Sequence, residues 1–280
     1  MKSFVALLFL SVVLCAGCKG SAPLPPKAID LNNQGADALA DGDLETAEAR
    51  FDLALEYSPR FVEALVNRAL VEVQRGNFLR ARRLLARARR YNPDFAQPHH
   101  GFGVLEEREG RPDKASKHYL EALSIDPGFA AARLNLARLY YSAGKYEHAK
   151  EQFKRVVEVS PSSADGYVGL AEALIKLDRS TEADDVVESA FQEFPDHPAL
   201  AILQARAHLR RNKVDTAVRL LLPLTSDRDE VAVSALGWLG TAELARGRPV
   251  AAEKAALRAL SLAPKDAVAD YVLKQARMHR

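Results

Sequence analysis

Small and apolar residues return along this chain with a fixed step of 34. Alanine stands at Ala47, Ala81, Ala115, Ala149, Ala183 and Ala217. Twelve places earlier another small residue recurs, at Gly35, Ala69, Gly103, Ala137, Ala171 and Ala205. Four places later a large one does, at Phe51, Leu85, Tyr119, Phe153, Val187 and Leu221. Small residues let two helices approach closely, and the large ones fill the space between neighbouring units. The punctuation keeps the same step, with Pro59, Pro93, Pro127, Pro161 and Pro195 each 34 apart. One residue out of step, Gly240, Ala252 and Pro264 resume it. A fixed period of this length marks a stack of supersecondary units rather than one large core.

Each unit reads as two helices. In residues 130–163 the first is expected over about Ala131 to Ser142 and the second over about Tyr146 to Val159. Gly144 separates them, with counterparts Gly42, Gly76, Gly110, Asp178, Asn212 and Gly247. These are the residue types that tolerate the left-handed conformation closing a helix C-terminus. The residue before a proline avoids helical geometry, so the recurring X-Pro pairs end the second helix. Seven units follow, at 28–61, 62–95, 96–129, 130–163, 164–197, 198–231 and 233–265, with a capping helix at 266–280 that shields the last apolar face. Unit six departs from the pattern. Pro223 lies inside its second helix and Asp229 stands where proline is expected. An interior proline costs about 3 kcal/mol, so that helix should stop or kink near Leu222, which makes 220–235 either a local joint between units six and seven or a tolerated irregularity.

These residues resemble the tetratricopeptide repeat (TPR) family over 28–265, about 85% of the chain. The resemblance implies an all-α, right-handed superhelical solenoid with a concave groove lined by the first helix of each unit. On that basis the groove residues are His100, Val104, Glu107, Leu134, Arg138, Tyr141, Val168, Glu172, Ile175, Ile202, Arg206 and Leu209. Arg138 and Arg206 would flank Glu172, and Leu134, Val168 and Ile202 would form an apolar stripe. Such a surface suits an extended peptide or helix held by apolar anchors and oriented by charge. Some relatives clamp a C-terminal carboxylate with Lys and Asn at fixed groove places. Here those places hold Asn32, Val66 and His100, with Ala36, Leu70 and Val104, so that clamp is missing.

The first 27 residues are different in kind. Met1-Lys2-Ser3 precedes an apolar run from Phe4 to Leu14. A basic start, a short apolar stretch and small residues ahead of a cleavage point make residues 1–17 an export signal. It is shorter than the about 20 apolar residues a membrane-spanning helix needs. Ala16-Gly17-Cys18 resembles the bacterial lipobox, with Cys15 where leucine is usual. That resemblance implies acylation of Cys18, cleavage after Gly17 and an envelope lipoprotein. Lys19 in place of Asp then favours the outer membrane, with the solenoid facing the periplasm. Residues 18–27 form the lipidated cysteine and a Pro-rich tether, extended at about 3.1 Å per residue.

Composition adds mainly exclusions. Thirty-nine Lys and Arg against 37 Asp and Glu leave a net charge of +2, which gives no electrostatic case for nucleic acid. Both cysteines lie in the first 18 residues, so no disulfide framework or thiolate zinc site exists in the repeats. Phosphate-loop, His-Glu-x-x-His and nucleophile-elbow segments do not occur, so neither an enzyme nor a small-molecule substrate is expected. His99, His100 and His118 are the only metal candidates. Adjacent helical histidines point about 100° apart, so they read as groove or surface residues, with no metal or cofactor. Glu106, Glu107 and Glu109 read as a solvated helix face, and Trp238 as packing. Arg80, Arg82, Arg83, Arg87, Arg89 and Arg90 form a basic convex strip, balanced by acids such as Glu56, Glu63 and Glu72 or free to meet an anionic partner. The resulting expectation is a non-catalytic scaffold for proteins or peptides of the cell envelope, held to the membrane by lipid. It is loosely similar to the pilotin-type TPR lipoproteins that assist type IV pilus secretin assembly. The alternative is a secreted or periplasmic adaptor of a peptidoglycan- or polysaccharide-processing enzyme.

Overall fold

A computed structural model of the chain describes residues 23–279. The expected export signal and the expected lipidation site Cys18 lie outside the described residues.

The described residues form helices joined by short turns. The first hairpins are α1 (Pro26–Ala40) with α2 (Leu44–Tyr57), α3 (Val62–Gln74) with α4 (Phe78–Tyr91), and α5 (Ala96–Arg108) with α6 (Pro112–Ile125). Next come α7 (Ala130–Ser142) with α8 (Tyr146–Val159), α9 (Ala164–Lys176) with α10 (Ser180–Glu193), and α11 (Pro198–Arg210) with α12 (Val214–Leu221). The last is α13 (Glu230–Ala245) with α14 (Pro249–Leu262), closed by α15 (Ala267–Met278). Each odd-numbered helix from α3 to α13 packs against the even-numbered helix before it and the one after it. Odd helices also touch odd helices of the neighbouring units, as α3 does α5 and α11 does α13. The result is a solenoid whose inner layer is the odd-numbered set.

The 34-residue series explains this packing. All seven alanines from Ala47 to Ala252 are fully buried. At Gly103 an added Cβ would sit 2.3 Å from the Tyr119 ring, so the backbone of α5 rests directly on that ring. The turn series also has one cause. Asp178 and Asn212 take φ of 59° and 55°, in the same left-handed region as the glycines of the other five turns, Gly144 among them at 71°.

Two boundaries differ from the sequence reading, the starts of α1 and α13, while α12 ends where Pro223 led one to expect. Helix α1 begins at Pro26, inside the expected tether, because proline is pre-organised for the first helical position. Helix α12 stops at Leu221 and gives way to a 3₁₀ turn over Leu222–Thr225 that contains Pro223. Helix α13 begins at Glu230, three residues before the expected start of unit seven. Asp229 caps it, its carboxylate accepting from the Ala232 amide at 2.8 Å. A single apolar cluster joins Ile202, Ala205, Val218 and Leu221 to Ala235 and Leu239, so the core runs on through the irregularity.

Candidate functional site

Four of the sequence-derived groove residues come together. Arg138 and Tyr141 of α7 meet Val168 and Glu172 of α9 around a cavity of about 230 Å³, which Asp165, Gly169 and Phe153 complete. The i, i+4 spacing on α9 sets Val168 and Glu172 on one face. The Tyr141 ring is held edge-on against Tyr146 at 5.4 Å. Arg138 donates to Asp165 across the α7–α9 step at 2.9 Å.

The charges here are only partly neutralised. Burial raises the Glu172 carboxyl above its ordinary range, and the Arg206 and Lys176 charges offset this only in part. Among the described residues Glu172 closes no ion pair. Arg138 pairs with Asp165 instead, so the expected flanking of Glu172 by two arginines holds on the Arg206 side alone. Burial also lowers the Arg206 guanidinium, with Arg210 adding repulsion. Arg206 lies 4.6 Å above the Trp238 ring, and its buried Nε has no hydrogen-bond partner. Trp238 thus packs against the core cluster of α11–α13 and also carries a cation. The Tyr141 hydroxyl is pushed up to about 12, first by burial and then by the Glu172 and Tyr146 charges. It is a neutral donor at physiological pH.

Other groove positions are claimed by packing. Ile202 is buried in the core shared by α11, α12 and α13, and is not an open anchor. Val104 packs between two core clusters, while Leu134, Ile175 and Leu209 are half-buried against others. The cause is the contact between successive odd helices, which covers part of the inner face. His100 is largely buried among Tyr119, Phe129 and Asn135, its Nε2 lying 3.0 Å from the Asn135 amide. Burial lowers it to about 4. Glu107 is exposed but accepts from the Tyr119 hydroxyl at 2.7 Å.

The acidic face of α5 is not simply solvated. Glu106 is buried, and Arg82 and Arg111 both bind it. The same two arginines bind Glu109. Sequence reading missed this because the partners sit 24 and 5 residues away, on α4 and at the start of α6. It also missed Arg68. This α3 guanidinium is 1% exposed and binds Glu72 on its own helix, and Glu48 and Asp52 on α2. The basic strip on α4 is reduced accordingly. Arg80 lies 3.1 Å from Glu72, Arg82 is engaged, Arg87 donates to the Pro59 carbonyl at 2.8 Å, and Arg89 lies over the Phe102 ring. The balancing acids are Glu72, Glu106 and Glu109. Among the described residues Glu56 and Glu63 pair with none of them. Arg83 and Arg90 remain exposed, the former beside a shallow depression with Arg80, Phe78 and Leu79.

His99 and His118, set aside in the sequence, do converge, with Glu121 rather than His100 as the third member. Both Nδ1 atoms lie 2.9 Å from one Glu121 oxygen.

Family models described as tetratricopeptide repeat match residues 32–81, 67–130, 134–198 and 202–267, and another of that description matches 108–159. No curated protein matches the sequence. Among solved structures, a tetratricopeptide repeat protein from Parabacteroides merdae is 19% identical, covers 90% of this chain and all of its own, and superposes with a TM-score of 0.56. PilF of Pseudomonas aeruginosa is 17% identical over 78% of this chain and 97% of its own, with a TM-score of 0.66. YrrB, a TPR protein with an unusual peptide-binding site, is 19% identical over 68% of this chain and 97% of its own, with a TM-score of 0.52. At these identities the likeness is one of fold.

Proposed function

Because the chain belongs to the tetratricopeptide repeat family, and so has the architecture of a protein-interaction scaffold, we propose that it grips a segment of an envelope protein across units four to six and is held at the bacterial outer membrane by lipid on Cys18. The observation that carries this reading is the cavity between α7 and α9, with the unneutralised Glu172 and Arg206 beside it. Half-buried charges that close no pair within the fold gain most from a partner's backbone amides or side chains. Tyr141, Val168 and Phe153 supply the apolar wall. A peptide with one apolar anchor, a donor for Glu172 and an acceptor for Arg206 meets every group. The peptide-binding site of the similarly folded YrrB supports the class of ligand, and the fold shared with PilF keeps assembly of an envelope complex such as a pilus secretin as the finer reading.

The test is photocrosslinking in cells from an unnatural residue at Tyr141 or Arg138, with Arg90 on α4 as the convex control. Capture of one envelope protein from the groove positions, lost on adding Glu172→Arg, is the expected result. Capture from Arg90 alone overturns the groove assignment. Cys18→Ala should move the protein from membranes to the soluble fraction and abolish acyl labelling. Unchanged membrane partition refutes the anchor.

A further inference from the structure

His118 and Glu121 stand three apart on α6, and the hairpin turn brings His99 of α5 to them. One ligand atom from each lies within 4.8 Å of the others. His99 and His118 are mostly shielded, with side-chain exposures of 13% and 22%, while Glu121 is half-exposed at 51%. Two imidazole nitrogens and one carboxylate oxygen converge on a point open to solvent on one side. We propose that His99, His118 and Glu121 bind a borderline divalent cation of the Zn²⁺ class, leaving a coordination position for water or a partner's side chain.

The chemistry of the donor set favours this class. Two imidazoles with one carboxylate suit zinc, whereas magnesium and calcium require oxygen cages. The geometry is close. Ligands about 2.0–2.1 Å from a tetrahedral ion stand roughly 3.3 Å apart. The two present Nδ1 to Oε2 separations of 2.9 Å reach that with a small withdrawal of the Glu121 carboxylate. That side chain is free to move because it is half-exposed. Facing a carboxylate, which can only accept, the two Nδ1 atoms carry the protons of these hydrogen bonds. On metal binding each ring proton shifts to Nε2, or is released if the ring was doubly protonated, and the freed Nδ1 lone pair becomes the ligand. The ring orientation is partly preset, since His118 stacks on Phe102 at 5.3 Å and 27°. Arg89, 5.1 Å over the same Phe102 ring, adds an opposing positive charge. The site lies on the α5–α6 hairpin, away from the α7–α9 cavity residues.

The test is titration of the full chain carrying Cys15→Ala and Cys18→Ala, which is not acylated and holds no thiol, with ZnCl₂ by calorimetry and with CoCl₂ by visible absorption. One ion per chain is expected, with the absorption of a nitrogen–oxygen tetrahedral site. His99→Ala, His118→Ala and Glu121→Gln should each weaken binding at least about 10-fold. His148→Ala, an exposed histidine on α8, should leave it unchanged. Circular dichroism identifies any variant that has lost its helices, and the conservative, half-exposed Glu121→Gln then decides. No saturable binding, or equal binding by Glu121→Gln and wild type, overturns the proposal.

Discussion

Gly103→Ala is the sharpest test of how this solenoid is packed. The new Cβ would fall 2.3 Å from Tyr119 Cε1, 2.5 Å from Cδ1 and 2.9 Å from Cζ, where ordinary contact begins at 3.4 Å. Either the ring or α5 must therefore move by about 1 Å, in a layer packed as densely as an organic crystal. Tyr119 cannot move freely. It is fully buried, and its hydroxyl donates to Glu107 at 2.7 Å. Helix propensity alone favours the substitution by about 0.8–1.0 kcal/mol. Overpacking opposes it by about 1–3 kcal/mol, and a weakened hydrogen bond to a carboxylate by about 1.5–3 kcal/mol if wholly lost. With the hydrogen bond lost the three contributions sum to a destabilisation of about 1.5–5 kcal/mol, concentrated in α5 and α6. Urea unfolding gives the global change, and amide exchange resolves the two helices, which matters because repeat arrays can open in blocks. Adding Tyr119→Leu should recover much of the loss, since Ala69 and Leu85 already share a core cluster in unit two. A Gly103→Ala chain as stable as wild type, or more stable, would refute the close-approach argument.

Further outcomes follow from other positions. Gly144→Ala has open space around it but a φ of 71°, so it should cost about 1 kcal/mol, and Gly144→Asn less, as measured by urea midpoints. Arg68→Met leaves buried Glu72 without its main cation and should cost roughly 3–5 kcal/mol at pH 7. Burial alone would raise Glu72, but Asn77 and Arg68 together hold it below 4.5, so this stability is present above 4.5 and fades as pH falls through the lower folded value. The gap between Arg68→Met and wild type should therefore narrow in acid, and a constant gap counts against the network. Glu172 has the opposite sign. Its raised folded value penalises the fold as pH rises through it, so Glu172→Gln should stabilise at pH 7 and lose that advantage below about 4.5. Amide exchange across 220–235 should be faster in the turn region than in α11, and protection equal to neighbouring units removes the joint.

The parts of the fold that depend on residue size were legible in the sequence. The buried alanines and the left-handed turns, including Asp178 and Asn212, follow from local sterics repeated every 34 residues. What stayed hidden depends on partners brought close only by stacking. Arg82 meets Glu106 across a unit boundary, Arg246 meets Asp215 and Arg277 meets Glu253 in the same manner. No repeated residue type announces them, because the charges change places: Arg82–Glu106 recurs five units on as Glu253–Arg277. The inner face was overestimated for a related reason. Helical spacing says which side a residue takes, but not how much of that side the next odd helix covers, and so Ile202 and His100 were read as open. The histidine cluster was not legible because its third donor is a carboxylate, Glu121, one turn along α6 from His118, and only the hairpin brings His99 to it.

The distribution of clamped and unclamped charge is uneven along the solenoid and is what the proposed binding site rests on. In units one to three each buried carboxylate is bound by two guanidiniums, Glu72 by Arg68 and Arg80, and Glu106 by Arg82 and Arg111. Arg210 of unit six likewise binds buried Asp184 of unit five, and Arg246 binds Glu243 in unit seven. Such pairs satisfy charges that burial would otherwise make costly, and they tie one helix or unit to the next. Glu172 and Arg206 break the rule. Both are desolvated, and each feels the other, yet the carboxylate stays raised and the Arg206 Nε stays unpaired. Closing that pair would relieve both, so their separation is a standing cost of the free protein. A ligand that bridges them gains the hydrogen bonds without a new desolvation penalty on this side of the interface. The proposed site rests on that unclosed pair of Glu172 and Arg206 more than on the concavity of the fold.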